Sequence, residues 1–288
     1  MTGMIGLPGS AGPWSGGDVT EVATCVLAPN PSPMTLDGTN TWIISQPGSR
    51  SVGVIDPGPN EEVHWEAVAA VVAQRDARID RILLTHGHAD HSAGARLFAQ
   101  RAGCGVQALD SRHQLGSEGL AANDVVELGG VEVRVIATPG HTSDSLSFVL
   151  PHDRSLLTGD TVLGRGTTVV AHPDGQLREY LESLARLREL VNEAGLEQIL
   201  PGHGPTLADP AAVIDAYLEH RHERLEQVRG AVATLTEEAQ QENESGNGPT
   251  FDELADLIVQ RVYADVPRSV WPAALLSVRA QLSYLREV

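Results

Sequence analysis

Thr85-His86-Gly87-His88-Ala89-Asp90-His91 lies where an apolar run of the chain ends. Upstream, Arg81-Ile82-Leu83-Leu84 reads as a short buried strand. Downstream, Ser92-Ala93-Gly94-Ala95-Arg96-Leu97-Phe98-Ala99 reads as the opening of a helix that reaches about Ala102. Three imidazoles and a carboxylate on one strand-to-helix turn converge on a small volume. Imidazole nitrogen and carboxylate oxygen are the ligands that zinc and its borderline-soft neighbours prefer. A polar turn at the end of a buried strand is also where sites are built. The stretch predicts a metal site on an α/β scaffold.

Working outward, three further turns repeat the pattern of an apolar strand ending in a Gly-containing turn with one ligand-type residue. Thr138-Pro139-Gly140-His141-Thr142 follows a strand over 131–137. Leu157-Thr158-Gly159-Asp160-Thr161 ends a strand over 155–158. Leu200-Pro201-Gly202-His203-Gly204-Pro205 follows a strand over 198–200. Glycine beside each ligand lets backbone approach a site without a Cβ clash. Further strands are expected over 19–27, 40–44, 52–56, 105–109, 125–128 and 146–150, with Gly129-Gly130 turning a hairpin. Asn60 reads as the N-cap of a helix whose buried face is Val63, Ala67, Val68, Val71 and Val72. Helices also follow over about 176–193 and 209–232. Strands in two groups, each followed by helices, suggest two packed sheets with helices outside.

The ends read differently. Residues 1–18, rich in Gly, Pro and Ser, are expected to be a flexible leader, and residues 19–232 the main domain. The polar, acidic stretch 233–249 reads as a linker, and 250–288 as a small helical unit opened by a capping box at Thr250-Phe251-Asp252-Glu253. Two short amphipathic helices make a poor core alone, so this tail is expected to pack on the main domain.

These four ligand turns, in this order, resemble the metallo-β-lactamase superfamily, and more closely its β-lactamase-like protein 2 branch. The closer likeness rests on Asn30–Thr41, on Gly164–Thr168, and on the tail from Val262-Tyr263 through Trp271–Ala274 to Leu282. The resemblance implies a four-layer αβ/βα sandwich with a small, mainly helical, winged-helix-like C-terminal domain. It implies that His86, His88 and His141 hold one metal, Asp90, His91 and His203 the other, and that Asp160 bridges them. The implied cofactors are two zinc ions, with manganese or iron as alternatives. Asp56 is expected to orient the His loop rather than bind metal. His64, His113, His152, His172, His220 and His222 read as surface residues.

Composition narrows the function. All 20 basic residues are Arg, and the formal net charge is −18, which repels polyanions at long range. The two cysteines, Cys25 and Cys104, are too few for a disulfide framework. No secretory signal or membrane-length apolar run is present, so a cytoplasmic protein without membrane association is expected. Within the family, secreted antibiotic-degrading members lack the bridging aspartate and iron dioxygenases lack second-metal ligands; this chain departs from both. Glyoxalase II-like thioester hydrolysis stays open, although those enzymes use Lys in binding glutathione and this chain has none.

Two divalent ions about 3.5–4 Å apart share a water and lower its pKa towards about 7. The expected function is therefore hydrolysis by a metal-bridging hydroxide, with Asp90 also orienting the water. The substrate is either a small-molecule ester or thioester, or single-stranded RNA, since the branch includes single-strand-specific endoribonucleases. A non-catalytic metal-binding protein is the alternative from another class. For RNA, Arg165, Arg221 and Arg224 are the candidate phosphate contacts.

Overall fold

The computed structural model describes residues 12–116, 119–241 and 249–287. The first sheet carries β1 (Gly17–Asp18), β2 (Ala23–Leu27), β3 (Asn40–Ile44), β4 (Ser51–Ile55), β5 (Arg78–Leu83) and β6 (Gly105–Gln107), paired in that order. β1 to β4 meander antiparallel. β5 and β6 add in parallel, because α1 (Glu62–Gln74), then α2 (Ala89–Ser92) with α3 (Ala95–Ala102), supply the crossovers that parallel pairing requires. The second sheet pairs β7 (Val125–Leu128), β8 (Val131–Ala137), β9 (Leu146–Leu150), β10 (Ser155–Gly159), β11 (Gln198–Pro201) and β12 (Leu207–Ala208) in sequence. α4 (Leu177–Ala194) carries its single parallel crossover, from β10 to β11. α5 (Pro210–Gln241), α6 (Phe251–Val262) and α7 (Trp271–Glu287) follow.

Side chains alternate across each strand, and this sorts the core into layers. Trp42 and Ile44 of β3 join the inter-sheet core with Val131, Val133, Val135, Phe148 and Leu157. Ile43, between them, joins Val52, Val54, Val68 and Phe98 under α1 and α3. In β10, Leu157 lies between the sheets while Leu156 joins Leu184, Leu187 and Tyr217 beneath α4 and α5. The result is helix, sheet, sheet, helix, the four-layer sandwich expected.

Several local expectations change. On α1 the buried residues are His64, Val68 and Val72, while Val63 is 59% exposed. The helix is turned by one position because the His64 ring finds a hydrogen-bond partner in Thr41 and lies over Phe98. Its N-cap is Glu61, not Asn60. The helix after the His turn is broken into α2 and α3 at Gly94, where a Cβ would come within 2.8 Å of the Pro59 carbonyl.

The leader is not free over residues 12–18. Trp14 donates to Asn40 Oδ1 at 2.8 Å, and β1 pairs with β2; residues 1–11 lie outside the described residues. α5 continues through Gln241, into the stretch expected as linker, and residues 242–248 lie outside the described residues.

Thr250 and Glu253 form the expected capping box at α6. The tail does need a surface. Ala255, Ile258 and Val259 of α6 and Ala274, Val278 and Leu282 of α7 bury against Val228 and Ala231 of α5. No strand occurs in 249–287, and no helix among the described residues is long and apolar enough to cross a membrane.

Candidate metal centre

All seven predicted ligands meet at one end of the two sheets. His86 and His88 lie on the loop leaving β5, and Asp90 and His91 on α2. His141, Asp160 and His203 follow β8, β10 and β11. Their ligand-type atoms form three groups that could each hold a metal ion: His86, His88 and His141; Asp90, His91 and His203; and His86, His91 and Asp160. Asp160 reaches both sides. Its Oδ1 lies 3.3 Å from His91 Nε2, and its Oδ2 lies 3.4 Å from His203 Nε2 and 3.7 Å from His141 Nε2.

The hydrogen bonds around the rings show which nitrogens are bare. Thr85 donates its hydroxyl to Asp56 Oδ2 (2.7 Å), so its oxygen accepts from His86 Nδ1 (3.0 Å). His91 donates from Nδ1 to Asp56 Oδ2 at 2.8 Å. His141 does so to the Val169 carbonyl at 2.8 Å, and His203 to the Gly38 carbonyl at 3.1 Å. Each acceptor requires the proton on Nδ1, so four Nε2 lone pairs point inward. His88 Nδ1 then lies 3.1 Å from His86 Nε2 and 3.0 Å from His141 Nε2, and His91 Nε2 lies 3.1 Å from His203 Nε2. The two Nε2 lone pairs of His91 and His203 face each other, and they repel unless a proton or a metal ion sits between them. Asp160 Oδ1, buried without a hydrogen-bond partner, adds a full negative charge to the same space. The donor set fits divalent metal.

The electrostatics agree. Burial holds His86 well below the usual histidine range and His141 below it. Burial also opposes charge on His91 and His203, but Asp160 beside both outweighs it, raising His91 well above that range and His203 to about 9. Burial would raise Asp160, yet His203 and His91 hold it well below the carboxylate range. Without a cation, protons on two imidazoles are what offset the carboxylates.

Backbone placement explains the glycines. Gly202 hydrogen-bonds to the Gly159 carbonyl, and a Cβ on it would lie 2.5 Å from Asp160 Oδ1 and 2.8 Å from His91 Cε1. Gly140, at φ +131°, lies against the Tyr180 backbone, where a Cβ would come within 2.3 Å. Neither position admits another residue without displacing a ligand turn.

Below the His loop sits a support that the sequence reading only half found. Asp56 accepts from the Thr85 amide, the Thr85 hydroxyl and His91, as expected of an orienting residue. Its own carbonyl accepts from the Thr41 hydroxyl, whose oxygen therefore accepts from His64 Nε2 at 2.8 Å. His64 is 1% exposed, not a surface residue, and burial pushes its pKa down to about 4. The unfolded chain takes up this proton below pH 6.5 while the folded chain refuses it until about pH 4. Stability from His64 is thus present above pH 6.5 and lost as pH falls towards 4. Between pH 7 and 5 the loss is about 2 kcal/mol. His64→Gln should shrink the difference between urea unfolding free energies at these pH values by about that amount; an unchanged difference would refute the assignment.

The three candidate phosphate-binding arginines do not present free guanidinium groups. Arg165 pairs with Asp37 and donates to the Gly12 carbonyl. Arg221 is buried and donates to the Thr168 carbonyl. Arg224 lies over the Tyr263 ring and donates to the Val262 carbonyl and Gln227. Each holds two segments of the fold together. The sequence reading missed Thr85, Thr168 and Tyr180 as supports of the centre; Thr85, adjoining the His cluster at the strand end, was the one with a local signal.

A helix–sheet–sheet–helix sandwich with a His/Asp cluster of this kind at the strand ends defines a class of metal-dependent hydrolases, and sequence comparison agrees. Residues 34–203 match the metallo-beta-lactamase superfamily and residues 255–287 the beta-lactamase associated winged helix domain. The chain belongs to the metallo-beta-lactamase superfamily and is a hydrolase of that fold. It is 33% identical to a beta-lactamase-like protein 2 homolog of Drosophila melanogaster, over 93% of this chain and 89% of the relative. It is 32% identical to an atrochrysone carboxyl ACP thioesterase of Aspergillus fumigatus, over 84% of this chain and 74% of the relative. Among solved structures, a beta-lactamase domain protein from Burkholderia ambifaria superposes with a TM-score of 0.73 at 20% identity, covering 96% and 89% of the two chains.

Proposed function

We propose that the chain is a dinuclear, zinc-dependent thioester hydrolase. One ion is held by His86, His88 and His141, the other by Asp90, His91 and His203, and Asp160 is shared. The observation that carries the thioester reading over RNA is the engagement of Arg165, Arg221 and Arg224 inside the fold, which leaves those three guanidinium groups unavailable to phosphates. The net charge of −18 works against a polyanion as well. Likeness to an acyl-carrier thioesterase over most of the chain supports the same choice.

Divalent ions in the centre supply Lewis acidity and a water acidified to near-neutral pKa. The chain's own groups do the rest. His88 is exposed and Asp90 has a side chain 31% exposed, while the other five ligands are buried, so the substrate approaches past these two. Asp90 Oδ2 lies 3.2 Å from His203 Nε2; burial would raise the Asp90 pKa, but His203 and His91 outweigh it and leave it lowered. It is therefore a carboxylate at neutral pH, placed to orient an attacking water and take its proton. Asp56, Val169 and Gly38 keep the imidazoles in the tautomer the centre needs.

The test offers metal-replete protein a panel of acyl thioesters and labelled single-stranded RNA at low salt, with Asp160→Ala as control. Thioester turnover that the variant lacks, with RNA intact, is the expected result. RNA cleavage with every thioester untouched would reverse the substrate assignment, and hydrolysis retained by the variant would overturn the mechanism.

A further inference from the structure

Arg221 is a buried cation without an acid. It is 6% exposed, forms no ion pair among the described residues, and its Nε is buried with no hydrogen-bond partner. Taking a guanidinium out of water is unfavourable unless its charge is met, and an apolar side chain of similar volume usually serves a core better. What Arg221 does make are two contacts. Its Nη2 donates to the Thr168 carbonyl, and its guanidinium lies 5.0 Å from the centre of the Tyr180 ring.

Both contacts lead to the metal centre in one further step. Thr168 Oγ1 lies 3.1 Å from His141 Nδ1, and the carbonyl of the next residue, Val169, accepts the His141 Nδ1–H. Tyr180 donates its hydroxyl to the carbonyl of Thr161, the neighbour of Asp160, and its backbone lies against Gly140, the neighbour of His141. Residues 164–170 lie outside the strands; Gly164 donates its amide to the His203 carbonyl and Arg165 pairs with Asp37, and side chains from α5 hold the segment further along. Tyr217 does this at Leu163 and Gly166, and Arg221, one turn later, at Thr168.

We propose that Arg221 is a positioning residue for His141. By holding the Thr168 carbonyl it keeps the Thr168 hydroxyl and the Val169 carbonyl on the His141 Nδ1–H, which leaves Nε2 bare and directed at the ion shared with His86 and His88. The proposal rests on the reading that these three histidines hold an ion. Partners that orient a ligating imidazole are typically worth about 10–100-fold in metal affinity.

The experiment compares Arg221→Met, Arg221→Gln, Arg221→Lys, Thr168→Val and Arg224→Met with the full-length chain. Cobalt(II) is titrated against a chelator and its absorption spectrum followed. The His141 Nδ1–H proton is observed by NMR in the metal-free proteins. Arg221→Met should weaken one of two cobalt sites by about 10–100-fold, change its spectrum and speed exchange of the His141 proton. Arg221→Lys should restore part of this. Combining Arg221→Met with Thr168→Val should cost less than the sum, because both act on one hydrogen bond. Arg224→Met, which loosens α6, should lower the melting temperature with cobalt affinity and spectrum unchanged.

Wild-type cobalt affinity, spectrum and proton exchange in folded Arg221→Met would overturn the proposal. If that variant does not fold, the same results in Arg221→Gln and Thr168→Val would overturn it. A wild-type chain whose cobalt uptake is unaffected by His141→Ala would instead show that the ligand assignment is wrong, and the proposal falls with it.

Discussion

Asp160→Ala is expected to remove one ion from the loaded protein and to lower hydrolysis by at least about three orders of magnitude, since metal ions supply several kcal/mol of transition-state stabilisation. Among the described residues, Asp160 is the one carboxylate within 3.7 Å of imidazoles from both three-ligand groups. Its loss also removes the counter-charge of His91 and His203, whose protonation it favours in the metal-free chain. The fold should survive, because the turn is held by main-chain bonds, Thr161 to Thr158 and Gly202 to Gly159, that do not use the Asp160 side chain. Metal analysis and steady-state kinetics test this together. Two ions retained, with activity intact, would remove Asp160 from the centre.

Asp56→Ala should have the largest effect on stability, about 3–5 kcal/mol, the range for deleting one partner of a buried charged pair. Three donors lose their acceptor at once: the Thr85 amide, the Thr85 hydroxyl and His91 Nδ1. The backbone adds to it. Asp56 sits at φ 53°, a left-handed conformation that Asp tolerates better than Ala. Asp56→Asn separates the two roles. One side-chain oxygen still accepts from Thr85, but an amide N–H facing His91 Nδ1 drives that ring to the opposite tautomer and takes the lone pair from Nε2. Asn should therefore recover much of the stability and little of the metal affinity. Urea unfolding and chelator competition on the two variants measure this; an Asp56→Asn protein with wild-type affinity would contradict it.

The C-terminal unit connects to these arguments through α5. That helix presents Tyr217 and Arg221 to the loop beside His141 and, further along, Val228 and Ala231 to α6 and α7. His172, two residues beyond Val170, also lies 6.1 Å from Phe251 at the start of α6. The tail thus rests on the elements that brace the centre.

The amino-acid sequence by itself singled out the seven residues that the fold brings together at the strand ends. His86, His88, Asp90, His91, His141, Asp160 and His203 each stand in a turn at the end of an apolar run. That is local information, because a strand's alternation and the glycine beside a turn are written in adjacent residues. The same periodicities pointed to two packed sheets with helices outside, and the family resemblance of the turns supplied the four-layer class. Only the tertiary structure decided how the turns meet: His91 and His203, 112 residues apart in sequence, stand 3.1 Å apart in space. It also decided which ring nitrogens are bare, since the acceptors are main-chain carbonyls of Val169 and Gly38 brought from other segments. Every residue has a carbonyl, so no sequence pattern marks the one that will be used. For the same reason His64 read as a surface residue and Arg221 as a phosphate contact. What buries them is a threonine hydroxyl on one distant strand and a loop carbonyl held over one distant helix, and polar groups of that kind are visible only once the chain has folded.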